Sequence, residues 1–157
     1  MHFLLALAVA ALPIHCQLES GVNKIEATLP GSRKLAIRLT VAPYKPHLKG
    51  EVIDDSWWGA TPEEPPKVVL RAISMSIGSQ KIAFPQSSYA YIADPWSLDV
   101  SVEKAKVRLV IRGSDAGAAY IATFTVENGR LVEKKIQSSE FPDAIYETTR
   151  YVNKASG

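Results

Sequence analysis

Apolar and polar residues alternate along much of the chain, and this pattern predicts β-strands. In residues 34–42, KLAIRLTVA, leucine, isoleucine or valine occupies every second position, so a strand there would bury one face and expose the other. Residues 96–103, WSLDVSVE, repeat the pattern with Trp96 at the head of the inward set, and residues 104–112, KAKVRLVIR, repeat it again. Residues 67–77, KVVLRAISMSI, carry apolar side chains on both sides, which is typical of a central strand covered on both faces.

Asn128-Gly129 predicts a β-hairpin, because a two-residue type I′ turn needs positive φ at both positions and this pair readily adopts it. Pairing Glu127 with Arg130 across the turn would also set Phe124 opposite Glu133 on one face. A carboxylate beside a core aromatic residue is unfavourable. We therefore expect a β-bulge in one of the two strands, which would remove the conflict.

Three more segments have the composition of short strands, namely 22–29, 80–84 and 145–152. Ten prolines and nine glycines leave few windows long enough for a helix, although residues 87–95 and 139–145 each have room for one helical turn. The sequence therefore predicts a mainly β protein. The expected fold is an antiparallel β-sandwich or small barrel of about eight or nine short strands with one or two short helical turns.

The first sixteen residues, MHFLLALAVAALPIHC, contain an apolar run and no acidic residue, which is typical of a secretory signal peptide. The run is shorter than the roughly 20 residues that a spanning helix needs, so no transmembrane segment is expected. We predict a signal peptide over residues 1–16 and a single β domain over residues 17–157. The competing interpretation of the first segment is a buried N-terminal strand or helix.

The exact cleavage site and the role of Cys16 remain open in the sequence. A cut before Gln17 would place large residues where small ones are preferred, and a cut after Ala10 or Ala11 is the alternative. Cys16 is the only cysteine, so a domain that follows it has no internal disulfide and depends on its apolar core. Lipidation of Cys16, as in bacterial lipoproteins, is a further alternative that the bulky His15 disfavours. The expected location is secreted or periplasmic.

The composition is that of an ordinary globular protein, with 46% hydrophobic residues, 22% charged residues and a formal net charge of +2. A charge so close to balance gives no long-range attraction for phosphate backbones, so nucleic acid is not an expected partner. No internal repeat, low-complexity segment or shift in composition marks a second domain.

Three segments, FPQSSYAYIADP (84–95), IRGSDAGAAYIATF (111–124) and SEFPDAIYETTRY (139–151), follow one another in the C-terminal half. In this order they resemble a family of small exported bacterial proteins of uncharacterised function. The resemblance implies export and a single β domain. It implies no catalytic assignment and no site residue.

Side chains for nucleophilic catalysis and metal binding are scarce. After the N-terminal segment, His47 is the remaining histidine and no cysteine follows, so Ser-His-Asp and Cys-His systems and zinc or copper sites lack their residues. The basic, proline-containing context of His47 is typical of an exposed loop histidine. We expect no catalytic residue, no metal and no cofactor, and hence a protein that is not an enzyme.

Two carboxylate pairs leave one catalytic route open. Asp54-Asp55 and Glu63-Glu64 have the groups that a glycoside hydrolase uses as acid and base. Adjacent side chains in an extended loop point apart, however, so each pair offers one group in a given direction. Solvated loop charge is the simpler interpretation.

The segment DDSWWGATPEEPP, residues 54–66, matches neither helix nor strand periodicity and contains two adjacent tryptophans. Neighbouring side chains of an extended segment point to opposite sides, so we expect one of Trp57 and Trp58 to pack inward and the other to face water. A solvent-facing tryptophan flanked by Asp55 suits the anchoring of a protein or a carbohydrate. This loop is the first candidate recognition element.

The outer face of the strand over residues 104–112 is the second candidate. Its cations are Lys104, Lys106, Arg108 and Arg112. The simpler interpretation is a solvated strand face paired with Glu127 or Glu133 of neighbouring strands. If those carboxylates lie elsewhere, four cations on one face would suit an anionic polymer or an acidic partner protein.

The sequence thus predicts an exported, non-enzymatic binding module that recognises a protein partner, in an inhibitor or immunity-type role, through the loop with Asp54, Asp55, Trp57 and Trp58. The alternative is a carbohydrate-binding or carbohydrate-active domain that uses the same tryptophans and aspartates.

Overall fold

The protein folds as two antiparallel β-sheets. The computed structural model describes residues 13–46, 53 and 57–152. The strands within these ranges are β1 (Ile14–Gln17), β2 (Gly21–Thr28), β3 (Lys34–Pro43), β4 (Val68–Ile77), β5 (Gln80–Ile82), β6 (Pro95–Glu103), β7 (Lys106–Gly113), β8 (Tyr120–Glu127), β9 (Arg130–Ser138) and β10 (Ile145–Arg150). One sheet has the order β1-β6-β7-β8-β9-β10 and the other the order β2-β3-β4-β5. The predicted mainly β, sandwich-like class is confirmed.

The hydrophobic core lies between the sheets and follows the predicted alternation. The inward positions of β3 are almost completely buried, as the pattern over residues 34–42 predicted. The other sheet contributes Leu98, Leu109, Phe124 and Ile136 to the same cluster. Burying each large apolar side chain stabilises the fold by roughly 2 kcal/mol, so this cluster supplies the main driving force in a chain without a disulfide.

β1 extends the ordered fold into the segment predicted as a signal peptide. It pairs antiparallel with β6, with Ile14 opposite Val100 and Cys16 opposite Leu98. Ile14 and Cys16 both pack against the hydrophobic core. A cut before Gln17 would remove most of this strand, whereas the alternative cut after Ala10 or Ala11 would keep it; residues 1–12 lie outside the described part of the chain.

Trp96 is exposed, although alternation placed it in the inward set. The pairing of β6 with β7 shifts register between Pro95 and Ser97, so Ser97 and Leu98 are both buried. The Trp96 side chain consequently points outward, and its indole N–H donates to the Ser114 carbonyl at 3.0 Å. A bulge reverses the inside and outside positions of a strand, and the sequence pattern alone does not locate it.

The predicted hairpin and its bulge are both present. Asn128 and Gly129 have φ values of 51° and 73°, as the type I′ turn requires. The pairing of β8 with β9 shifts register between Thr125 and Val126, so Glu133 lies opposite Thr125. Lys134 then lies opposite Phe124 and becomes buried. The bulge therefore turns Glu133 out of the core and brings Lys134 into the interior.

Two short 3-10 turns complete the described structure, at Gln86–Ser88 and Ala116–Ala118. The first lies at the predicted helical turn over residues 87–95. The other predicted turn, over residues 139–145, is a hydrogen-bonded loop in which the Ala144 N–H donates to the Phe141 carbonyl at 2.8 Å.

The prediction that β4 is covered on both faces holds only near its start, where Val69 and Leu70 are both buried.

Candidate functional site

The tryptophan loop is fixed against the segment that precedes β6. The Trp58 backbone N–H donates to the Tyr91 carbonyl at 2.8 Å, and the Trp58 carbonyl accepts from the Ala93 N–H at 2.9 Å. One residue later, the Ser114 hydroxyl donates to the Gly59 carbonyl at 2.8 Å. These bonds attach Trp58 and Gly59 to the segment before β6 and to the connection after β7. The backbone of the loop is therefore held at two neighbouring residues.

The Tyr120 side chain packs against this loop at Gly59. Its ring is buried and its hydroxyl donates to the Ala93 carbonyl at 2.7 Å. Gly59 has a φ of +88° and lies so close that a Cβ would be 2.5 Å from a Tyr120 ring carbon, and a Cβ on Gly113 would be 2.1 Å from the hydroxyl. A side chain at either position would clash with Tyr120, so glycine is required at both. Burial, assisted by the negative charge of Asp94, raises the pKa of Tyr120 well above its ordinary value.

Five aromatic side chains lie on and beside the loop in two groups, one around Trp57 and one at Trp58. We call them together the aromatic surface: Tyr44, Trp57, Trp58, Tyr91 and Tyr146. The Trp57 ring lies between two tyrosines, with centroid distances of 5.4 Å to Tyr44 and to Tyr91 and nearly perpendicular planes. The Trp58 ring stacks on Tyr146 at 5.7 Å with an interplanar angle of 5°. Tyr91 and Tyr146 are exposed, so the cluster reaches solvent.

A buried ion pair holds Trp58 in place from the β10 side. The Lys134 ammonium lies 2.7 Å from the Glu147 carboxylate, with side-chain exposures of 8% and 27%. The same carboxylate accepts hydrogen bonds from the Trp58 indole N–H at 3.2 Å and from the Thr149 hydroxyl at 2.6 Å. Burial raises the pKa of Glu147, but the hydrogen bond and charge of Lys134 and the other two donors outweigh burial and leave the pKa lowered.

The residues that the sequence predicted as a site in or near the loop differ in their burial and in whether the structure describes them. Trp57 and Trp58 are both half-buried, so the expected division into one inward and one outward tryptophan is not observed. Asp54 and Asp55 lie outside the described residues, as does His47. Glu63 and Glu64 are exposed, in a turn closed by two backbone hydrogen bonds of 3.1 Å between Thr61 and Glu64.

The cations of the second candidate surface are mostly paired. Lys106 lies 3.7 Å from Glu127, as the simpler interpretation proposed. Arg108 forms an ion pair with Glu103 of β6, and Arg112 forms one with Asp99 of β6. The fourth residue, Lys104, is exposed in the turn between β6 and β7, with a φ of 48°. An anionic-polymer site would require these cations to lie away from carboxylates. That condition is therefore not met.

Asp99 connects this face to β1. Its carboxylate contacts Arg112 and also lies 2.5 Å from the Nδ1 atom of His15. Burial raises the pKa of Asp99, but the hydrogen bonds and charges of His15 and Arg112 outweigh it and lower the pKa. On the opposite face of β1, burial and the Asp99 charge raise the pKa of Cys16, which makes its thiol a weak nucleophile.

A cavity of about 410 Å³ lies at the other end of the sandwich, away from the aromatic surface. The turn before β3 and the turn after β8 contribute Arg33 and Asn128 to its wall. It is large enough for a small ligand. None of the residues predicted from the sequence as a site lines it, and we favour the aromatic surface because it concentrates exposed side chains suited to recognition.

Sequence reasoning missed most of the cluster around the tryptophans. Tyr91 and Tyr146 lie in segments recognised as turn and strand, but nothing local in the sequence brings them to Trp57 and Trp58. Lys134 becomes buried only because of the bulge in the pairing of β8 with β9. The one available signal was the predicted register conflict at Phe124, which required the bulge.

Among the described residues, no group of three or more His, Cys, Asp or Glu side chains is placed to hold a metal ion. The same part of the chain has no helix whose length and apolarity would let it cross a bilayer. Comparisons of the chain with protein-family models, curated proteins and solved structures gave no match. Function is therefore inferred from the residues and their geometry.

Proposed function

We propose that this protein is an exported, non-enzymatic binding module that recognises a protein partner through the aromatic surface. The observation that carries the proposal is that aromatic rings from four separate parts of the chain pack on the adjacent Trp57 and Trp58, with Tyr91 and Tyr146 exposed. Tryptophan and tyrosine are enriched among the residues that dominate the binding energy of protein interfaces. An inhibitor or immunity-type role is the form of binding that we favour.

The rigidity of the loop supports this proposal. Backbone hydrogen bonds of Trp58 with Tyr91 and Ala93 and the Ser114 hydroxyl bond to Gly59 fix the described part of the loop, and the indole of Trp58 donates to Glu147. A surface that is already ordered loses little conformational entropy when a partner binds. The available interaction energy is then retained as affinity.

The geometry of the aromatic surface favours a protein ligand over a carbohydrate ligand. A sugar ring stacks on an open aromatic face, but one face of Trp58 is covered by Tyr146, and Trp57 contacts a tyrosine on each side. The exposed members, Tyr91 and Tyr146, each combine an apolar ring with a polar hydroxyl. Such mixed apolar and polar groups are suited to a protein interface.

Secretion or periplasmic location belongs to the same proposal. The apolar N-terminal run supports export, and the Cys16 side chain packs against the core. An inward-facing thiol favours an unmodified cysteine over a lipid anchor.

Capture of partners from secreted or envelope fractions tests the proposal. Trp57→Ala removes the ring between the two tyrosines, and we expect affinity for the captured partner to fall by about 30-fold or more, the effect of losing an interface residue worth about 2 kcal/mol. Val22→Ala is the control, because Val22 is an exposed apolar side chain on β2, an edge strand of the other sheet. Equal recovery of the same partners by both variants and by the wild type would remove the aromatic surface from the proposal.

A polysaccharide panel read by tryptophan fluorescence tests the alternative. We expect no glycan to shift the emission. A shift that is abolished by Trp57→Ala and preserved in Val22→Ala would replace the protein partner with a carbohydrate ligand.

A further inference from the structure

Residues of four β-hairpins line the cavity that lies away from the aromatic surface. The hairpins β2-β3 and β4-β5 belong to the four-stranded sheet, and the hairpins β6-β7 and β8-β9 belong to the six-stranded sheet. The cavity therefore lies between the ends of the two sheets, and its volume is about 410 Å³.

The apolar part of the cavity lining is continuous with the hydrophobic core. Leu29, Val107 and Val126 line the cavity, and each is at most 3% exposed and belongs to the core cluster. The partly buried Ile77 and Val102 also line it and pack against the same cluster. An apolar group that enters the cavity therefore leaves water and contacts the core, which favours its binding.

Three polar side chains at the mouth of the cavity carry N–H donors. They are those of Arg33, Gln80 and Asn128, and all three residues are exposed. The Gln80 side chain reaches the turn of the other sheet, where a Cβ on Gly129 would be 2.3 Å from its Nε2 atom. Within the described part of the chain, none of the three side chains has a hydrogen bond or an ion pair, so their donors are free to bind a ligand.

The charge around the mouth is positive. Each of the four hairpins carries a cation at or beside its turn, namely Arg33, Lys81, Lys104 and Arg130. None of these four has an ion-pair partner among the residues that the structure describes. The carboxylates of the same turns are Glu103 and Glu127, and each already has an ion-pair partner. An anion at the mouth is therefore attracted by positive charge that nothing in the described chain neutralises.

We propose that this cavity binds a small carboxylate with an apolar chain, the chemistry of a medium-chain fatty acid. The apolar chain contacts the core residues of the lining, and the carboxylate accepts hydrogen bonds from Arg33, Gln80 and Asn128. A guanidinium suits this role because it can donate two parallel hydrogen bonds to one carboxylate. The inference goes beyond the proposed protein partner and does not depend on it.

The size and charge of the cavity select this class of ligand. Ligand cavities measure roughly 300 to 1,000 Å³, so this one suits a single short chain rather than a lipid with two chains. Arg33 is the one charged residue in the lining formed by the described residues. It balances the single charge of a carboxylate better than the charge of a phosphate monoester, which is about two at neutral pH.

Isothermal titration calorimetry of the full chain with octanoate tests the proposal. We expect saturable, equimolar binding. Octanol has the same chain without the charge, and acetate has the charge without the chain, so both should bind at least about tenfold more weakly. Absence of octanoate binding to the wild type, or equal affinity for octanol, would overturn the proposal.

Arg33→Gln tests the cation at the mouth. We expect octanoate to bind at least about tenfold more weakly to this variant, with octanol binding unchanged. Arg130→Gln is the matched control, because it removes the same charge from a hairpin turn at this end without changing the cavity lining, and it should weaken binding by no more than about twofold. Octanoate affinity that is unchanged in a folded Arg33→Gln variant, or reduced equally in both variants, would contradict the assigned role of Arg33.

Amide chemical shifts of the wild type locate the site without any substitution. Octanoate should shift the signals of Leu29, Val102 and Asn128 and leave those of Trp58 and Tyr91 unchanged. Shifts confined to the aromatic surface would place the ligand elsewhere and overturn the proposal. Trp57→Ala should bind octanoate like the wild type, so failure of the proposed partner surface and failure of this site are distinguishable.

Discussion

Glu147 has three partners, Lys134, Trp58 and Thr149, and its negative charge balances the positive charge of Lys134. A buried ion pair is not a large net source of stability, because desolvation of both charges offsets their attraction. Removal of one partner is different, since the remaining charge keeps its desolvation penalty and loses its attraction. The position of Trp58 is coupled to this pair through the indole hydrogen bond of 3.2 Å to Glu147.

We predict that Glu147→Gln lowers the free energy of unfolding by about 3 kcal/mol, because it leaves the buried Lys134 ammonium without its counter-charge. Glu133→Gln is the matched control. Glu133 lies 3.7 Å from the exposed Arg150, and loss of that surface pair should cost less than about 1 kcal/mol. Urea denaturation of both variants measures the difference.

The double variant Lys134→Met, Glu147→Leu should recover most of the loss, because it removes both charges together. Equal destabilisation by Glu147→Gln and Glu133→Gln would show that Lys134 does not depend on Glu147.

At the scale of elements, β1 bears on where the proposed signal peptide would be cleaved. Its residues pair with β6 from Ile14 opposite Val100 to Gln17 opposite Ser97, and its apolar side chains cover one margin of the core. Without β1, β6 would become an exposed edge strand of nine residues next to that core. These contacts favour a strand that stays with the folded domain over one that is removed with a leader.

We predict that the mature protein retains Ile14, with cleavage after Ala10 or Ala11. Intact mass measurement of the exported protein identifies its N-terminus. A variant engineered to begin at Gln17 should be less stable than one that begins at Leu12 by several kcal/mol, as expected for loss of a core-covering segment. Recovery of an exported, stably folded protein whose first residue is Gln17 would show that β1 is dispensable.

At the scale of the whole molecule, several carboxylates have a lowered pKa in the folded state. The Glu147 and Asp99 carboxylates are shifted down by the partners described above, and the hydrogen bond and charge of Arg108 lower the pKa of Glu103. In an unfolded chain these groups titrate near pH 4. Because the folded pKa lies below the unfolded one, their stabilising contribution is complete above about pH 4 to 5 and is lost as the pH falls through the folded pKa.

We therefore predict a free energy of unfolding that stays nearly constant between neutral pH and about pH 5 and decreases at lower pH. Chemical denaturation at a series of pH values measures this profile. In the Glu147→Gln variant the decrease should be shallower, because one of the responsible groups no longer titrates. A wild-type profile that stays flat or rises below pH 4 would contradict the assignment of these shifts.

Local alternation determined most of the fold, since a strand with a period of two must bury one face wherever a core exists. The core positions of β3 and β7, the hairpin at Asn128-Gly129 and even the need for a bulge near Phe124 follow from the residues themselves. Trp96 was misassigned because a register shift reverses the faces of a strand, and such a shift depends on the neighbouring strand.

The sequence by itself thus determined the β class, most of the strands after β1 and the presence of two tryptophans in an irregular loop. Only the tertiary structure decided what surrounds that loop. Tyr91 contacts Trp57, and Tyr146 and Glu147 contact Trp58, although all three are distant from the tryptophans in the chain. Contacts of this kind depend on how whole sheets are stacked and ordered, and no local pattern of hydrophobic and polar residues encodes them.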